Sequence, residues 1–412
     1  MFACMRPGTH FPDAFKSVFA GSLFRGTAPR TDTSADIHPA SSENRIDGRN
    51  SDAGSVAFAL ARDRRAPVAC HTMPIPMTQF IHQASLPARY RAWTWQGSEH
   101  PAQLRLEQRE MPGLKPGQVL VRNHAIGLNP VDWKVLGGAL VNWRLGHVPG
   151  VDGAGTVVAV ADDAMRYLLG RRVAYHQALG EHGSFAEYTP VAAGVLLTVP
   201  DTLDFETAAS VPCPALTAWQ ALEKVPCRVA REILVSGAGG AVGNYLVQIA
   251  ADRGFVVSVS SHERHWERLR ERGASHFLPG AVDETIGATP ELARRFYAVF
   301  DSIDARYAAR WAPAVAANGH IVCIQGRFDT PPLPPFTSSA SLHEVALNAL
   351  HTYGDDAAWL ETTTAGSMLL AGIANGRMQP EARVTGDFEK LPAQLEGLRH
   401  RRFSGKPVVL VD

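Results

Sequence analysis

Between about residue 88 and Pro212, apolar and polar residues alternate in short runs broken by Gly and Pro: RAWTW, QLRLEQRE, QVLVRNHAIGLN, VDGAGTVVAVA, RRVAYHQ and SFAEYTPV. A period of two between turn residues predicts strands with one buried face. Beyond Pro212 the pattern changes. ALTAWQAL reads as a helix, REILVSG as a strand, VGNYLVQIAADRG as a helix, FVVSVSS as a strand, ERHWERLRERGA as a helix, and YAVFDSI and GHIVCIQG as strands. Such alternation predicts a parallel sheet with helices on both faces. The end of the chain, with QPEARVTGDF, a helix LPAQLEGLRH and a strand KPVVLVD, turns β-like again. The expectation is an α/β protein with a β-rich domain over 81–212, a doubly wound parallel-sheet domain over 213–376 and a β-rich return segment over 377–412. There is no internal repeat.

Residues 1–80 lack any sustained apolar period; TAPRTDTSADIHPASSENRIDGRNSDAGS is polar throughout. Such a stretch cannot bury enough apolar surface to offset its ordering entropy, so it reads as a disordered extension. Arg6, Lys16, Arg25 and Arg30 against a single acid, Asp13, would suit a targeting peptide, but no clear secretory cleavage pattern follows. The plainer reading is an upstream start codon, with Met73 or Met77 opening the protein.

The totals change little. A chain of 412 residues suggests roughly two to three domains at ~150 residues each. Lys+Arg and Asp+Glu balance at 40 each, which gives no field to attract nucleic acid or an acidic membrane surface. No run approaches the ~18 apolar residues of a membrane span. Cys4, Cys70, Cys213, Cys227 and Cys323 are scattered without a C-x-x-C pair, as expected of a reducing, cytoplasmic compartment.

The strand ILVSG runs into AGGAVGNYLVQIAADRG, an A-x-G-x-x-G form of the dinucleotide-binding turn. Gly240 lets backbone approach a pyrophosphate, Gly243 lets the helix pack on the strand, and the helix N-terminus offers free N–H groups to the phosphates. A glycine pattern alone also fits an ordinary tight turn, but the strand before it and the helix after it favour the dinucleotide reading. Asn244-Tyr245 exclude a triphosphate P-loop, which needs Lys-Ser/Thr there. The second strand carries no acid for a ribose 2′-hydroxyl. It ends in Ser260 and Ser261, followed by Arg264, and hydroxyls with a guanidinium suit a 2′-phosphate. NADPH is therefore expected over NADH.

ILVSGAGGAVGNYLVQIA, SSHERHWERLRERGASH, VFDSID and GHIVCIQG resemble the cofactor domain of the medium-chain dehydrogenase/reductase superfamily. GQVLVRNHAIGLNPVDWKVLGG, PGVDGAGTVVAV and GSFAEYTPV resemble its catalytic domain. The resemblance runs from about residue 88 to the end. It implies a GroES-like β-rich catalytic domain, a Rossmann cofactor domain, an active site between them, and a homodimer. In the zinc-dependent branch a Cys would stand at Asn129 and a His at Val151; neither Asn nor Val replaces them at tetrahedral zinc. The cysteine-rich structural lobe is missing as well. The chain is thus similar to the zinc-free quinone oxidoreductase and enone reductase branch, and no metal is expected.

The same resemblance sets Asn129 beside the nicotinamide, with Thr217 holding that region. Ser236, Gly239, Gly240, Ala241, Val242 and Gly243 would line the pyrophosphate, and Ile324, Gln325 and Gly326 the far side of the nicotinamide. Trp133, Tyr175 and His176 are expected to face the acceptor, whereas Asp132 and Lys134 read as a structural ion pair or as solvated. A nicotinamide supplies the hydride, so the protein need only bind, orient and exclude water. Without a Lewis acid the easiest acceptors are electron-poor: a quinone or an α,β-unsaturated carbonyl. Two alternatives stay open, an alcohol dehydrogenase-type carbonyl reductase and a catalytically idle NADPH-binding protein. No Ser/His/Asp set has a nucleophile-elbow context, so hydrolysis has no support.

Overall fold

In the computed structural model, which describes residues 81–82, 86–138 and 140–411, the apolar runs beyond Pro212 build a six-stranded sheet. Its strands are Glu232–Ser236, Val256–Ser261, Ala274–Pro279, Phe296–Asp301, Val315–Cys323 and Ser341–Glu344, and every pairing is parallel. Their spatial order is third, second, first, fourth, fifth, sixth. Ile233, Leu234 and Val235 in the central strand are fully buried, which is why that strand reads as an unbroken apolar run. The order reverses between Glu232–Ser236 and Phe296–Asp301, and doubly wound sheets open a ligand crevice at such a point. The expectations for residues 1–80 lie outside the described residues.

Local structure departs from the pattern reading in several places: the strands Ala274–Pro279 and Ser341–Glu344 gave no signal, and three further departures concern elements near the site. ERHWERLRERGA is not one helix: a 3-10 turn over Glu263–His265, capped by the His262 ring, precedes a short helix Trp266–Glu271. The strand expected from GHIVCIQG begins earlier, at Val315, and stops at Cys323, so Ile324, Gln325 and Gly326 lie past its end. The helix Asp356–Ala374 gave no clear signal, because WLETTTAGSMLLAGIA sets apolar or small residues on most sides and shows no 3.6-residue stripe. Asp355 caps it, and Gly366 lets it settle on Leu197 and Leu216; a Cβ there would lie 2.7 Å from the Leu197 side chain.

RAWTW and QLRLEQRE pair with each other in a two-stranded sheet, while most of the alternating residues form a separate eight-stranded one. Its path runs Arg383–Asp387, Lys406–Leu410, Gln118–Gly127, Asp152–Val160, Arg172–His176, Leu196–Thr198, with Ile81–His82 and Tyr188–Ala192 paired at its sides. The pairing is antiparallel except between Arg383–Asp387 and Lys406–Leu410. Register positions the chemistry. Gly127 pairs with both Asp152 and Val408, and Asp152 pairs with His176. Continuing the antiparallel register past Gly127 brings Asn129 opposite Lys406. Four polar residues from four distant segments thereby reach one end of the sheet.

The glycines of GVDGAG are there for packing. A Cβ on Gly153 would lie 2.4 Å from the Tyr175 hydroxyl, and one on Gly155 would lie 1.9 Å from the Arg122 carbonyl oxygen. Among the described residues no helix is long and apolar enough to cross a membrane. Since a backbone carbonyl cannot swing aside as a side chain can, Gly155→Ala is expected to lower stability by about 3 kcal/mol. Gly180→Ala, where nothing lies within 4 Å, should change little. Urea unfolding midpoints of the two variants test this.

Candidate functional site

GLNPVDWK turns from strand to helix. Pro130 opens the helix Pro130–Lys134, where its missing N–H costs nothing, and Asn129 is the N-cap. Asp132, third in the helix, reaches back so that the Asn129 N–H donates to it at 2.7 Å, while the Val151 N–H donates to its other oxygen at 3.1 Å. Asp132 is fully buried, and Lys134 is exposed and donates to Gln325 Oε1 at 2.7 Å. The two are therefore neither an ion pair nor jointly solvated: the aspartate organises the turn and the lysine bridges to the other sheet.

With its backbone held this way, Asn129 enters a buried cluster. Its Nδ2 donates to Asp152 Oδ2 at 2.8 Å, and its Oδ1 accepts from the Lys406 ammonium, which lies 3.6 Å from the same Asp152 oxygen. Asn129, Asp152 and Lys406 are 2%, 0% and 4% exposed. The Cys213 N–H donates to Asp152 at 3.0 Å, and Thr217 follows one turn later on the helix Pro212–Glu223, beside the Cys213 thiol. Burial pushes the Asp132 carboxyl up to about 7 and that of Asp152 up to about 6, against the partial offset of their N–H donors and Lys406. Burial and the Asp152 charge raise the Cys213 thiol far above its ordinary range.

The other acceptor-facing candidates separate. His176 is buried near Asp152, its register partner, and its Nδ1 lies 3.1 Å from His351 Nε2. Burial, with each ring beside the other, pushes His176 well below the usual imidazole range; burial takes His351 to about 4. Tyr175 precedes His176 on the same strand, and successive strand residues point to opposite faces. Its ring is fully buried among Val119, Val121 and Val157, with its hydroxyl donating to Asn123 at 2.8 Å. The expectation that Tyr175 faces an acceptor is thus corrected: it has no exposed surface to do so. Trp133 is half-buried, with the Arg399 guanidinium 5.8 Å from its ring.

The glycine loop lies at the crevice of the parallel sheet. Gly240 caps the helix Ala241–Asp252, and no side chain caps that end. Gly240 is exposed, and a Cβ on it would meet only the Gly237 carbonyl, at 4.0 Å. Gly243 packs helix on strand, since a Cβ there would lie 2.4 Å from the Ala238 carbonyl. Ala241 and Val242, half-buried, form the first turn, and the His265 ring lies over Gly239. Below, Ser236 and Asp301 end adjacent strands. Ser236 Oγ, Asp301 Oδ2 and Ser302 Oγ are buried with no partner beyond the Ser236–Asp301 contact, Asp301 Oδ1 accepts from the Ile303 and Asp304 N–H groups, and burial raises the Asp301 carboxyl to about 6. Uncapped N–H groups above orphaned polar atoms suit a polar, anionic ligand such as a dinucleotide.

At the second strand, Ser260 and Ser261 are buried, and their hydroxyls donate to the carbonyls of Pro279 and His262 at 2.8 and 3.4 Å. Arg264 is exposed and donates to His265 Nε2 at 3.2 Å. Arg268, not singled out in the sequence, donates to the Gly239 carbonyl at 2.8 Å and pairs with Glu381. Past the fifth strand, Ile324 is buried, Gln325 receives Lys134, and Gly326 turns at φ +86°. Sequence reasoning missed Asp152, Lys406, His265, Arg268, Asp301 and His351. A carboxylate inside VDGAG and a lysine opening the apolar run KPVVLVD were the legible signals for the first two.

The alcohol dehydrogenase GroES-like domain model matches residues 115–201. The chain is 32% identical over 259 residues to the 2-methylene-furan-3-one reductase of Solanum lycopersicum, covering 60% of this chain and 65% of that protein. It is 33% identical over 168 residues to the quinone oxidoreductase of Homo sapiens, covering 40% and 50%. The chain thus spans between half and two thirds of the length of these relatives. Among solved structures, an alcohol dehydrogenase superfamily protein from Novosphingobium aromaticivorans superposes with a TM-score of 0.69 at 25% identity, over 78% of this chain and all of that one.

Two outcomes follow from this geometry. Gly240→Asp would place a carboxylate among the uncapped N–H groups without a steric clash. The expected result is a melting temperature unchanged or slightly raised and nicotinamide-dinucleotide binding weakened at least about tenfold, read by fluorescence titration. The second concerns pH. Asp132 and Asp152 ionise above their ordinary value of 3.8, so between about pH 4 and 7 the folded chain holds protons that the unfolded chain has lost. Their contribution to stability is present at low pH and is lost as pH rises through 6 to 7. His176 and His351, with depressed values, act in the opposite sense. Urea midpoints of Asp132→Asn and the parent across that range isolate the carboxyl: the difference between the two proteins should shrink as pH rises.

Proposed function

Since the chain belongs to the medium-chain dehydrogenase/reductase superfamily, we propose that it is an NADPH-dependent, zinc-independent oxidoreductase delivering hydride to a quinone or an α,β-unsaturated carbonyl. The observation that carries this reading is the uncapped helix end at Gly240, set at the strand-order reversal over Ser236 Oγ and Asp301 Oδ2, two buried atoms with no partner beyond each other. When bound, the dinucleotide supplies the hydride. Ser236 and Gly239 to Val242 bind its pyrophosphate with Gly243 seating the helix behind them, Thr217 and Asn129 orient the nicotinamide, and Ile324, Gln325 and Gly326 close its far side. The Lys134–Gln325, His176–His351 and Leu179–Asn348 hydrogen bonds join the loops of the two sheets and help keep water from the site.

NADPH is favoured over NADH by the absence of an acid at the end of Val256–Ser261 and by Arg264, His265 and Arg268 beside the glycine loop. Ser260 and Ser261 contribute less than their hydroxyls promised, because both already donate to carbonyls. The residues at the metal positions do not fit zinc. Both ends of the Asn129 amide are engaged, and Val151 packs with Val135 and Leu179. Electron-poor acceptors follow from the missing Lewis acid. The edge strand Ser341–Glu344 pairs on one side among the described residues, and joining two such edges would give the homodimer we infer. We place the activity in the cytoplasm.

The test is oxidation of NADPH or NADH by the full chain with 1,4-benzoquinone, 9,10-phenanthrenequinone or a short enone, with and without a chelator. Chelator-resistant turnover that prefers NADPH is expected. Loss of activity with chelator would overturn the zinc-free reading, and tight NADPH binding without turnover on any acceptor would point to a binding protein instead.

A further inference from the structure

Lys406 has no place in the hydride chemistry outlined so far, yet it lies at the centre of the buried cluster. It opens the strand Lys406–Leu410 and is 4% exposed. Its ammonium carries three donors; one goes to Asn129 Oδ1, and Asp152 Oδ2 is 3.6 Å away. Asn129 has spent its own hydrogens: Nδ2 donates to Asp152 at 2.8 Å and also lies 3.4 Å from the Gly127 carbonyl. Asn129 therefore has no free hydrogen for an acceptor's oxygen. The lysine is the one cation among the three, and its field reaches Asp132 and His176 as well.

We infer that Lys406 is the built-in cation of the reaction centre: it clamps the Asn129 amide in one orientation, and its charge stabilises the oxyanion that develops on the acceptor. The inference rests on the oxidoreductase reading of the same site. For an enone the electrons balance as follows. The β-carbon gains hydride, the C=C pair shifts so that the carbonyl oxygen becomes an enolate, the dihydronicotinamide is oxidised to the pyridinium, and solvent protonates the α-carbon. In a water-poor site the ammonium hydrogens not given to Asn129 favour the enolate more than the neutral ground state, against the partial offset of the Asp152 carboxylate 3.6 Å away, so they lower the barrier. Lys406 acts here as a positioning and charge-bearing residue.

The test uses the full chain as the parent protein, Lys406→Arg, Lys406→Met and the charge-neutral double variant Lys406→Met/Asp152→Asn. The first readout needs no turnover: 4-nitrophenol, an enolate mimic, is added with NADP+ and its ionisation is followed by absorbance. The parent and Lys406→Arg should favour bound phenolate by about tenfold over solution, and Lys406→Met should lose that preference. The second readout is kcat across enones of graded electron demand. Lys406→Met should lose about 100-fold on weakly activated enones and less on strongly activated ones, with KM for NADPH unchanged.

A uniform kcat loss with the phenolate preference intact would mean a structural role only and would overturn the inference. Should Lys406→Met fail to fold, the double variant removes both charges together, and a phenolate preference surviving in it would overturn the inference equally. The two readings fail separately. A parent protein that binds phenolate through Lys406 but reduces nothing refutes the oxidoreductase reading and supports the charge; normal turnover by Lys406→Met on every enone refutes the charge alone.

Discussion

Asp152 and Lys406 are charged groups buried at the end of one sheet, and either alone at that depth would cost several kcal/mol. The fold answers this by bringing four segments to one place. Asp152 starts one strand, Lys406 starts the last one, Asn129 caps the helix Pro130–Lys134, and Cys213 offers its backbone N–H from the helix Pro212–Glu223. Removing one partner would strand the others, so the cluster is tolerable only when all four segments are docked. The polar chemistry of the site and the closure of the eight-stranded sheet are one constraint. The apolar core around Leu120, Ile126 and Val409 supplies the driving force and selects the buried face, and the buried charges tighten the register further.

The parallel sheet solves the opposite problem. Its floor keeps Ser236 Oγ and Asp301 Oδ2 buried with no partner beyond each other, beneath a helix end that no side chain caps. Orphaned groups of this kind are costly in a fold whose only task is stability, and they cluster where a ligand will complete them. The return segment links the two halves. The Gln379 carbonyl accepts from Asn244 and Gln248 on the glycine-loop helix, and Glu381 pairs with Arg268, which itself holds the Gly239 carbonyl. Beyond it the chain runs through Arg383–Asp387 to Lys406. One short stretch thus braces the dinucleotide loop and delivers the lysine to Asn129.

The large features were legible because they rest on periodicity. ILVS, VVSVS and YAVF read as apolar runs because nearly every position is buried; RRVAYHQ reads as a strand from its short apolar run, and it too is buried from Val173 to Gln177. The glycine loop was legible because Gly243 answers a steric demand that no other residue meets. Side-chain direction and partnership were not. Tyr175 and His176 are equally polar in sequence, and only the strand's position between its neighbours decides that one faces the core and the other the cluster. Ser260 and Ser261 look available to a phosphate until their carbonyl acceptors are seen. Lys406 reads as an ordinary strand-edge lysine, since its partners lie 277 and 254 positions away in the chain, taking 406 against 129 and 152.

That separation also explains the composition of the turn GLNPVDWK. In GLNPVDWK, Pro130 fixes the helix start and Asp132 ties the turn to Val151, so the Asn129 side chain stands where a strand end and a distant lysine converge. A cysteine at 129 would offer sulfur to a metal but could not accept from Lys406 and donate to Asp152 together. An amide does both, because its two ends differ. The exchange of ligand for amide is therefore matched by a buried cation already in the chain, and neither residue makes full physical sense without the other.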